Sequence, residues 1–113
     1  MAKVYIAGKV KDLPIEEVKR KFVNATIELD NEGHVAVNPV LFIETHNDLL
    51  VKSGGMTLSD DDPKQRREIL KICISLLMDC DYIYLLHDWQ ESEGATFEKQ
   101  VADMFGIKVY NVG

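Results

Sequence analysis

The feature that most constrains the fold is a regular alternation of short apolar runs with longer helical patterns. Four runs are predicted to be strands: KVYIAG (3–8), HVAVNP (34–39), CDYIYLL (80–86) and IKVYNV (107–112). Each is apolar almost throughout rather than at every second position, which is typical of strands that are buried on both faces of a parallel sheet. The chain is therefore predicted to form a parallel sheet with helices on both faces.

Three long helices are predicted between these strands. The first begins at Pro14, because proline suits the first helical position, and Gly33 ends it as a left-handed cap. Its apolar residues recur at steps of three and four, which predicts one buried stripe. The members of that stripe are Ile15, Val18, Phe22, Ala25 and Leu29.

The second helix is predicted to begin at Asp62-Pro63, as cap and first residue. Its expected buried stripe is Ile69, Ile72, Cys73, Leu76 and Leu77. The third helix is predicted over residues 93–105 and ends at Gly106. Its expected buried stripe is Phe97, Val101, Met104 and Phe105.

The order of these elements predicts a single α/β domain over residues 1–113. With right-handed crossovers it is a compact flavodoxin-like or Rossmann-like three-layer sandwich, with a parallel four-stranded sheet in the order 2-1-3-4. Residues 40–62 show no clean period and are predicted to be an irregular loop, a lid, or a segment with a short helix. Ligands on such sheets bind where the carboxyl ends of the first and third strands diverge. The loops GKVKDLP (8–14) and HDWQESEG (87–94) are therefore expected to form the site.

Composition excludes several classes of partner. The net charge is −6 and the basic residues form no stripe, so nucleic acid polymers and anionic membranes are not expected partners, whereas a single nucleotide stays possible. No apolar run reaches the roughly 18–20 residues of a membrane span, and the amino terminus is unlike a signal peptide. Cys73 and Cys80 lie about 10 Å apart on a helix, so free thiols and a cytoplasmic location are expected. The three histidines lack metal-ligand spacing, and no metal or cofactor is expected.

Glu98 is the candidate for chemistry. On a helical wheel it lies about 60° from the centre of the expected stripe of the third helix, on the edge that faces the sheet. Gly94, one turn earlier, is interpreted as making space for it, because a helical glycine costs about 1 kcal/mol and requires a reason. A carboxylate placed in this way can be a nucleophile or a general base. The alternative is an ordinary carboxylate that pairs with a lysine.

Two neighbours of Glu98 suggest ligand binding. Ser92 is a natural helix cap, and the free amides around Glu93 to Ala95 can bind an anion. Trp89 offers a flat face to a base or a sugar ring. The alternatives are that Ser92 is only a cap and that Trp89 only packs over the end of the sheet.

The segments KVYIAGKV…LP, GHVAVNP, CDYIYLLHDWQESEGATFE and GIKVY resemble a family of small proteins related to the nucleoside 2-deoxyribosyltransferases. The most specific part is Trp-x-x-Ser-x-Gly-Ala-x-x-Glu after the third strand. The resemblance implies that Glu98 attacks the anomeric carbon of a 2′-deoxynucleoside and displaces the base, with Tyr5 orienting the carboxylate. Ser92 matches the serine with which related hydrolases contact the phosphate of 2′-deoxynucleoside 5′-monophosphates.

The resemblance also implies the remaining wall of the pocket, formed by Gly8, Lys9, Gly94 and Ala95. It further implies a homodimer or larger homo-oligomer. The active relatives carry an aspartate where this chain has Cys73, which leaves open a nucleotide-binding module without catalysis. A phospho-receiver domain would need acidic residues directly after the first strand. A flavin carrier would need a hydroxyl-rich loop at the same place. The segment AGKVKD (7–12) supplies neither.

Overall fold

The four predicted strands form one parallel sheet in a computed structural model that describes residues 2–45 and 63–111. The strands are β1 (Lys3–Ala7), β2 (Val35–Val37), β3 (Tyr82–Leu85) and β4 (Lys108–Val109). The sheet order β2-β1-β3-β4 confirms the predicted order 2-1-3-4. Val4 pairs with Ala36 on one side and with Tyr82 on the other, so β1 is an inner strand next to β3.

In the described ranges, four α-helices surround the sheet: α1 (Ile15–Asn31), α2 (Pro39–Thr45), α3 (Pro63–Met78) and α4 (Glu93–Met104). A 3₁₀ turn at Trp89–Glu91 precedes α4. The short helix α2 begins at Pro39, one residue before the segment 40–62 that was predicted to lack a clean period, and continues into it to Thr45. The Asn38 side chain accepts a hydrogen bond from the Leu41 N–H at the start of this helix. The prediction of a loop or lid concerns mainly residues 46–62, which lie outside the described residues.

The helices cover both faces of the sheet, and β1 contributes to a core on each side because its side chains alternate. Val4 and Ile6 pack with the buried stripe of α1, whereas Tyr5 and Ala7 pack with α3 and α4. The result is the predicted flavodoxin-like arrangement of three layers. The stripe of α1 is buried as expected at Val18, Phe22, Ala25 and Leu29. Its predicted first member, Ile15, is 44% exposed because it lies at the open end of the helix.

The predicted helix boundaries agree closely with the structure. Helix α1 begins one residue after Pro14, and α3 begins at Pro63 as predicted, whereas Asp62 lies outside the described residues. Gly33 and Gly106 adopt φ angles of 82° and 75°, which confirms that both end helices in the left-handed conformation. Both cysteines are buried free thiols, as expected.

The predicted buried face of α4 is wrong at three of its four positions, whereas Val101 is partly buried against the core. Phe97, Met104 and Phe105 are 44%, 75% and 58% exposed, and the buried residues of the helix are Ala95, Glu98 and Ala102. Small side chains on the inner face let α4 lie close to α3 and β3, while the bulky ones project outward. Glu98 therefore lies in the middle of the buried face rather than at its edge.

Within residues 2–45 and 63–111, no helix is long and apolar enough to cross a bilayer.

Candidate functional site

A cavity of about 590 Å³ opens at the carboxyl end of β1, next to the end of β3. The loop that follows β1 forms one wall, and residues 91–95 at the start of α4 form another. Helices α2 and α3 contribute the remaining sides. This is the position at which a parallel α/β sheet is expected to bind a ligand.

Glu98 lies in the wall of this cavity and is only 6% exposed. Its Oε2 accepts a hydrogen bond from the Tyr5 hydroxyl, which comes from the fully buried middle of β1. The contact joins residues 93 positions apart in the sequence. A buried carboxylate normally requires a partner, and Tyr5 fulfils that need without neutralising its charge.

Burial changes the acidity of both groups. It raises the pKa of the Glu98 carboxyl to about 7, although the hydrogen bond from Tyr5 lowers it. Burial, followed by electrostatic interactions with Cys73 and Glu98, raises the pKa of the Tyr5 hydroxyl well above its ordinary value. Near neutral pH, Glu98 is therefore present in both protonation states, while Tyr5 stays protonated and donates.

Cys73 is the third member of this cluster. Burial and the charge of Glu98 raise the pKa of its thiol to about 12, against a hydrogen bond with Tyr5 that lowers it. The thiol is therefore neutral at physiological pH. Cys73 also lines the cavity, so the side chain at this position of α3 faces the same space as Glu98.

Ser92 caps α4 as predicted, because its Oγ accepts a hydrogen bond of 3.1 Å from the Ala95 N–H. Ser92, Gly94 and Ala95 all line the cavity. The proposed reason for Gly94 is wrong, however. A Cβ atom built at Gly94 would meet only the Ser92 Oγ, at 3.9 Å, so the glycine makes no space for Glu98.

Gly8 has a packing role that the sequence did not indicate. A Cβ atom at this position would lie 2.6 Å from the Leu86 Cδ1, closer than side chains can approach. The glycine therefore leaves room for the side chain of Leu86, which follows the neighbouring strand β3. Gly8 and Lys9 also line the cavity, as the resemblance implied.

Trp89 is not among the residues that line the cavity. It is partly buried and packs against the core that contains Tyr5 and Leu77. This placement matches the alternative in which Trp89 packs over the end of the sheet.

A buried ion pair, which sequence reasoning missed, lies behind the loop that follows β1. Lys21 Nζ is 2.6 Å from Asp88 Oδ2, and the two side chains are 12% and 10% exposed. Asp88 Oδ1 accepts a hydrogen bond of 3.0 Å from the Lys9 N–H, and Lys21 Nζ donates to the Lys9 carbonyl. The only sequence signal was a charged residue, Asp88, close behind a buried strand.

The mouth of the cavity carries charges of both signs. Lys9, Lys11 and Arg67 line it together with Asp12, Glu91 and Glu93. Within the described part of the chain, no group of three or more histidine, cysteine, aspartate or glutamate side chains is arranged to hold a metal ion. The site thus offers a buried carboxylate that titrates near neutrality, two neutral hydrogen-bonding groups and a mixed charged rim.

Comparison with known proteins gave one family match. The profile described as "Domain of unknown function (DUF4406)" matches residues 2–111. No curated protein matches the chain.

Proposed function

The chain belongs to the DUF4406 family, and from that premise we propose that it is an enzyme of the nucleoside 2-deoxyribosyltransferase type. It cleaves or transfers the N-glycosidic bond of a nucleoside, a deoxynucleoside or the 5′-monophosphate of either. One Glu98 oxygen forms a bond to the anomeric carbon while the carbon–nitrogen bond breaks and its electron pair leaves with the base. Water or a second base then attacks the same carbon and releases Glu98.

The observation that carries this proposal is the state of Glu98. A carboxylate in the wall of a cavity, 6% exposed and with a pKa of about 7, costs free energy that a purely structural residue would not require. Perturbed acidity of this kind is concentrated at functional sites. The Tyr5 hydrogen bond engages Oε2 and fixes the carboxylate, which leaves Oε1 as the attacking oxygen.

The size and rim of the cavity support a small ligand. A volume of about 590 Å³ lies within the range of roughly 300–1,000 Å³ that is usual for small-molecule pockets. Lys9, Lys11 and Arg67 at the mouth suit a phosphate group, and Ser92 holds the start of α4 beside them. A 5′-monophosphate is therefore the favoured ligand.

Cys73 favours a second candidate, a nucleotide-binding module without turnover. A departing base requires a proton, and a carboxylic acid near Glu98 would be a suitable donor. The Cys73 thiol, with a pKa of about 12, is a poor one. The cavity would then bind a nucleotide without cleaving it.

The test is to incubate the protein with a panel of nucleosides, deoxynucleosides and their 5′-monophosphates and to measure base release by chromatography. Wild type should release the base and form a glycosyl adduct visible by intact mass, whereas Glu98→Gln should do neither. Asp103→Asn is the matched control, because Asp103 is an exposed carboxylate of the same helix that pairs with Lys99 and does not line the cavity. Binding by wild type and Glu98→Gln alike, with no release by either, would establish the binding module instead.

The proposed enzyme is expected to form a homodimer or larger homo-oligomer, as the family resemblance implies. The exposed apolar side chains of α4 are the surface that a second copy would cover: Phe97, Met104 and Phe105. Light scattering should give at least twice the monomer mass of 12.8 kDa, and Phe105→Glu should reduce it.

A further inference from the structure

Lys9 is held at both of its backbone groups by charged side chains from two other elements. Its N–H donates to Asp88, which follows β3, and its carbonyl accepts from Lys21 of α1. Asp88 and Lys21 in turn bind each other at 2.6 Å. Three parts of the chain that are distant in sequence therefore meet at one residue of the loop after β1.

The residues on either side of Lys9 are the wall of the cavity. Gly8, Val10, Lys11 and Asp12 all line it. Asp12 has a φ angle of 67°, a left-handed conformation that residues with a side chain seldom adopt. Such a conformation persists where the surrounding structure imposes it, and the two hydrogen bonds to the Lys9 backbone supply a restraint of this kind.

The same contacts reach the opposite wall. Asp88 directly precedes the 3₁₀ turn at Trp89–Glu91, which leads into Ser92 and the start of α4. The Asp88 carboxylate thus links the loop after β1 to the segment that carries Ser92, Gly94 and Ala95. The separation of the two walls depends on this link.

We propose that Asp88 and Lys21 are positioning residues that hold the loop of residues 8–12 as a preformed wall of the cavity, so that ligand affinity depends on them. They do not face the ligand, since neither is among the residues that line the cavity. The effect on affinity rests on the proposed function, whereas the effect on the loop does not. This positioning role also explains why a charged pair is buried at a position where apolar side chains would stabilise the fold at least as much.

The charge state of the pair is separable from that of Glu98. Burial raises the pKa of Asp88, but the hydrogen bonds from Lys21 and from the Lys9 N–H, with the charges of Lys21 and His87, hold it below its usual value. Asp88 therefore stays ionised throughout the range in which Glu98 titrates. The Lys21–Asp88 pair should therefore persist as the pH falls from 8 to 5, while any reaction that requires ionised Glu98 declines.

The experiment removes the whole pair, because removing one partner would leave a buried charge unpaired. The variant is Lys21→Met with Asp88→Asn, and the control is Lys99→Met with Asp103→Asn, which removes an ion pair of equal length on the exposed side of α4. Amide hydrogen exchange is measured for residues 9–12 and for β1 and β3. Binding of 2′-deoxyadenosine 5′-monophosphate is measured in parallel, as are kcat and KM for whichever panel substrate is cleaved.

In the paired variant, exchange at residues 9–12 should accelerate by roughly tenfold or more, while β1 and β3 stay protected as in wild type. The Kd or KM should rise by about tenfold or more with kcat changed by less than about threefold, because pre-organisation acts on binding. Lys21→Arg, which keeps the charge and the donors, should restore most of the affinity. The control variant should match wild type in every measurement.

Unchanged exchange at residues 9–12 in the paired variant would overturn the inference. Faster exchange with unchanged affinity would overturn the role in binding. If the paired variant does not fold, Lys21→Gln with Asp88→Asn, which also removes both charges, takes its place and the same two comparisons decide. Failure of wild type to bind any nucleoside or nucleotide would remove the proposed function and with it the effect on affinity, but the exchange measurement would still decide whether the pair holds the loop.

Discussion

At the scale of single residues, the acidity of Glu98 depends on one hydrogen bond. The Tyr5 hydroxyl lowers the pKa of the Glu98 carboxyl, against the larger effect of burial. Tyr5→Phe should therefore raise that pKa further, by about one unit, because hydrogen bonds to charged groups contribute about 1.5 kcal/mol or more. Carbon-13 NMR of the labelled carboxyl would follow the titration.

Tyr84→Phe is the matched control, since the Tyr84 hydroxyl bonds to Glu28 on the other side of the sheet. That variant should leave the titration of Glu98 unchanged. A Glu98 pKa that is equal in wild type and Tyr5→Phe would show that Tyr5 does not act on the carboxylate.

The position of Glu98 at the carboxyl edge of the sheet was predictable from the sequence, but its surroundings were not. The motif placed it on a helix at the carboxyl edge of the sheet, and its spacing from Ser92 fitted a cap. Only the family resemblance predicted that Tyr5 contacts Glu98, because the two residues are 93 positions apart in the sequence. The Lys21–Asp88 pair spans 67 positions in the sequence, and no periodic pattern indicates which charged side chains pair when the chain folds.

At the scale of secondary-structure elements, two glycines that both line the cavity should respond in opposite ways to alanine. Gly8→Ala places a Cβ atom 2.6 Å from the Leu86 Cδ1 and should destabilise the fold by about 1–3 kcal/mol. Gly94→Ala adds a methyl group in open space within α4 and should stabilise by up to about 1 kcal/mol, because alanine favours the helix. Urea unfolding of the two variants would measure both effects. Equal changes in the free energy of unfolding would contradict the assignment of Gly8 to close packing.

Two substitutions at Ser92, the cap of α4, can separate its effect on stability from its effect on ligand binding. Ser92→Ala removes the acceptor of the Ala95 N–H and should cost about 1 kcal/mol of stability. Ser92→Asp keeps a capping oxygen and should retain stability, but its negative charge should weaken a 5′-monophosphate far more than the free nucleoside. Calorimetric titration of both ligands would test this, and equal weakening would remove the phosphate from this position.

The sequence predicted the positions of the strands and helices better than it predicted which face of α4 is buried. The continuous apolar strands predicted a doubly covered parallel sheet and its order, and glycine and proline located the ends of α1 and α3. The predicted buried face of α4 is wrong at Phe97, Met104 and Phe105, because bulky apolar side chains at helical spacing do not always face the core. Where a helix packs closely against its neighbours, alanine occupies the inner face, and Phe97 and Phe105 are left exposed.

At the scale of the whole molecule, burial of Glu98 makes the stability of the fold depend on pH. The pKa of its carboxyl is about 7 in the folded protein against a usual value of 4.5, so the folded state binds the proton more tightly than the unfolded state. The resulting stabilisation is complete below the unfolded pKa and is lost as the pH rises through about 7. Between pH 5 and pH 8 the fold should therefore lose roughly 1–3 kcal/mol from this group.

Glu98→Gln removes the titrating group while keeping the size of the side chain, so it should flatten this dependence. Urea unfolding at pH 5 and pH 8 would compare wild type, Glu98→Gln and the exposed control Asp103→Asn. The free energy of unfolding should fall more steeply with pH for wild type and the control than for Glu98→Gln, and at pH 8 Glu98→Gln should be the most stable of the three. Parallel pH dependences in all three proteins would mean that Glu98 ionises freely in the folded state, and the observation that supports the proposed nucleophile would be lost with it.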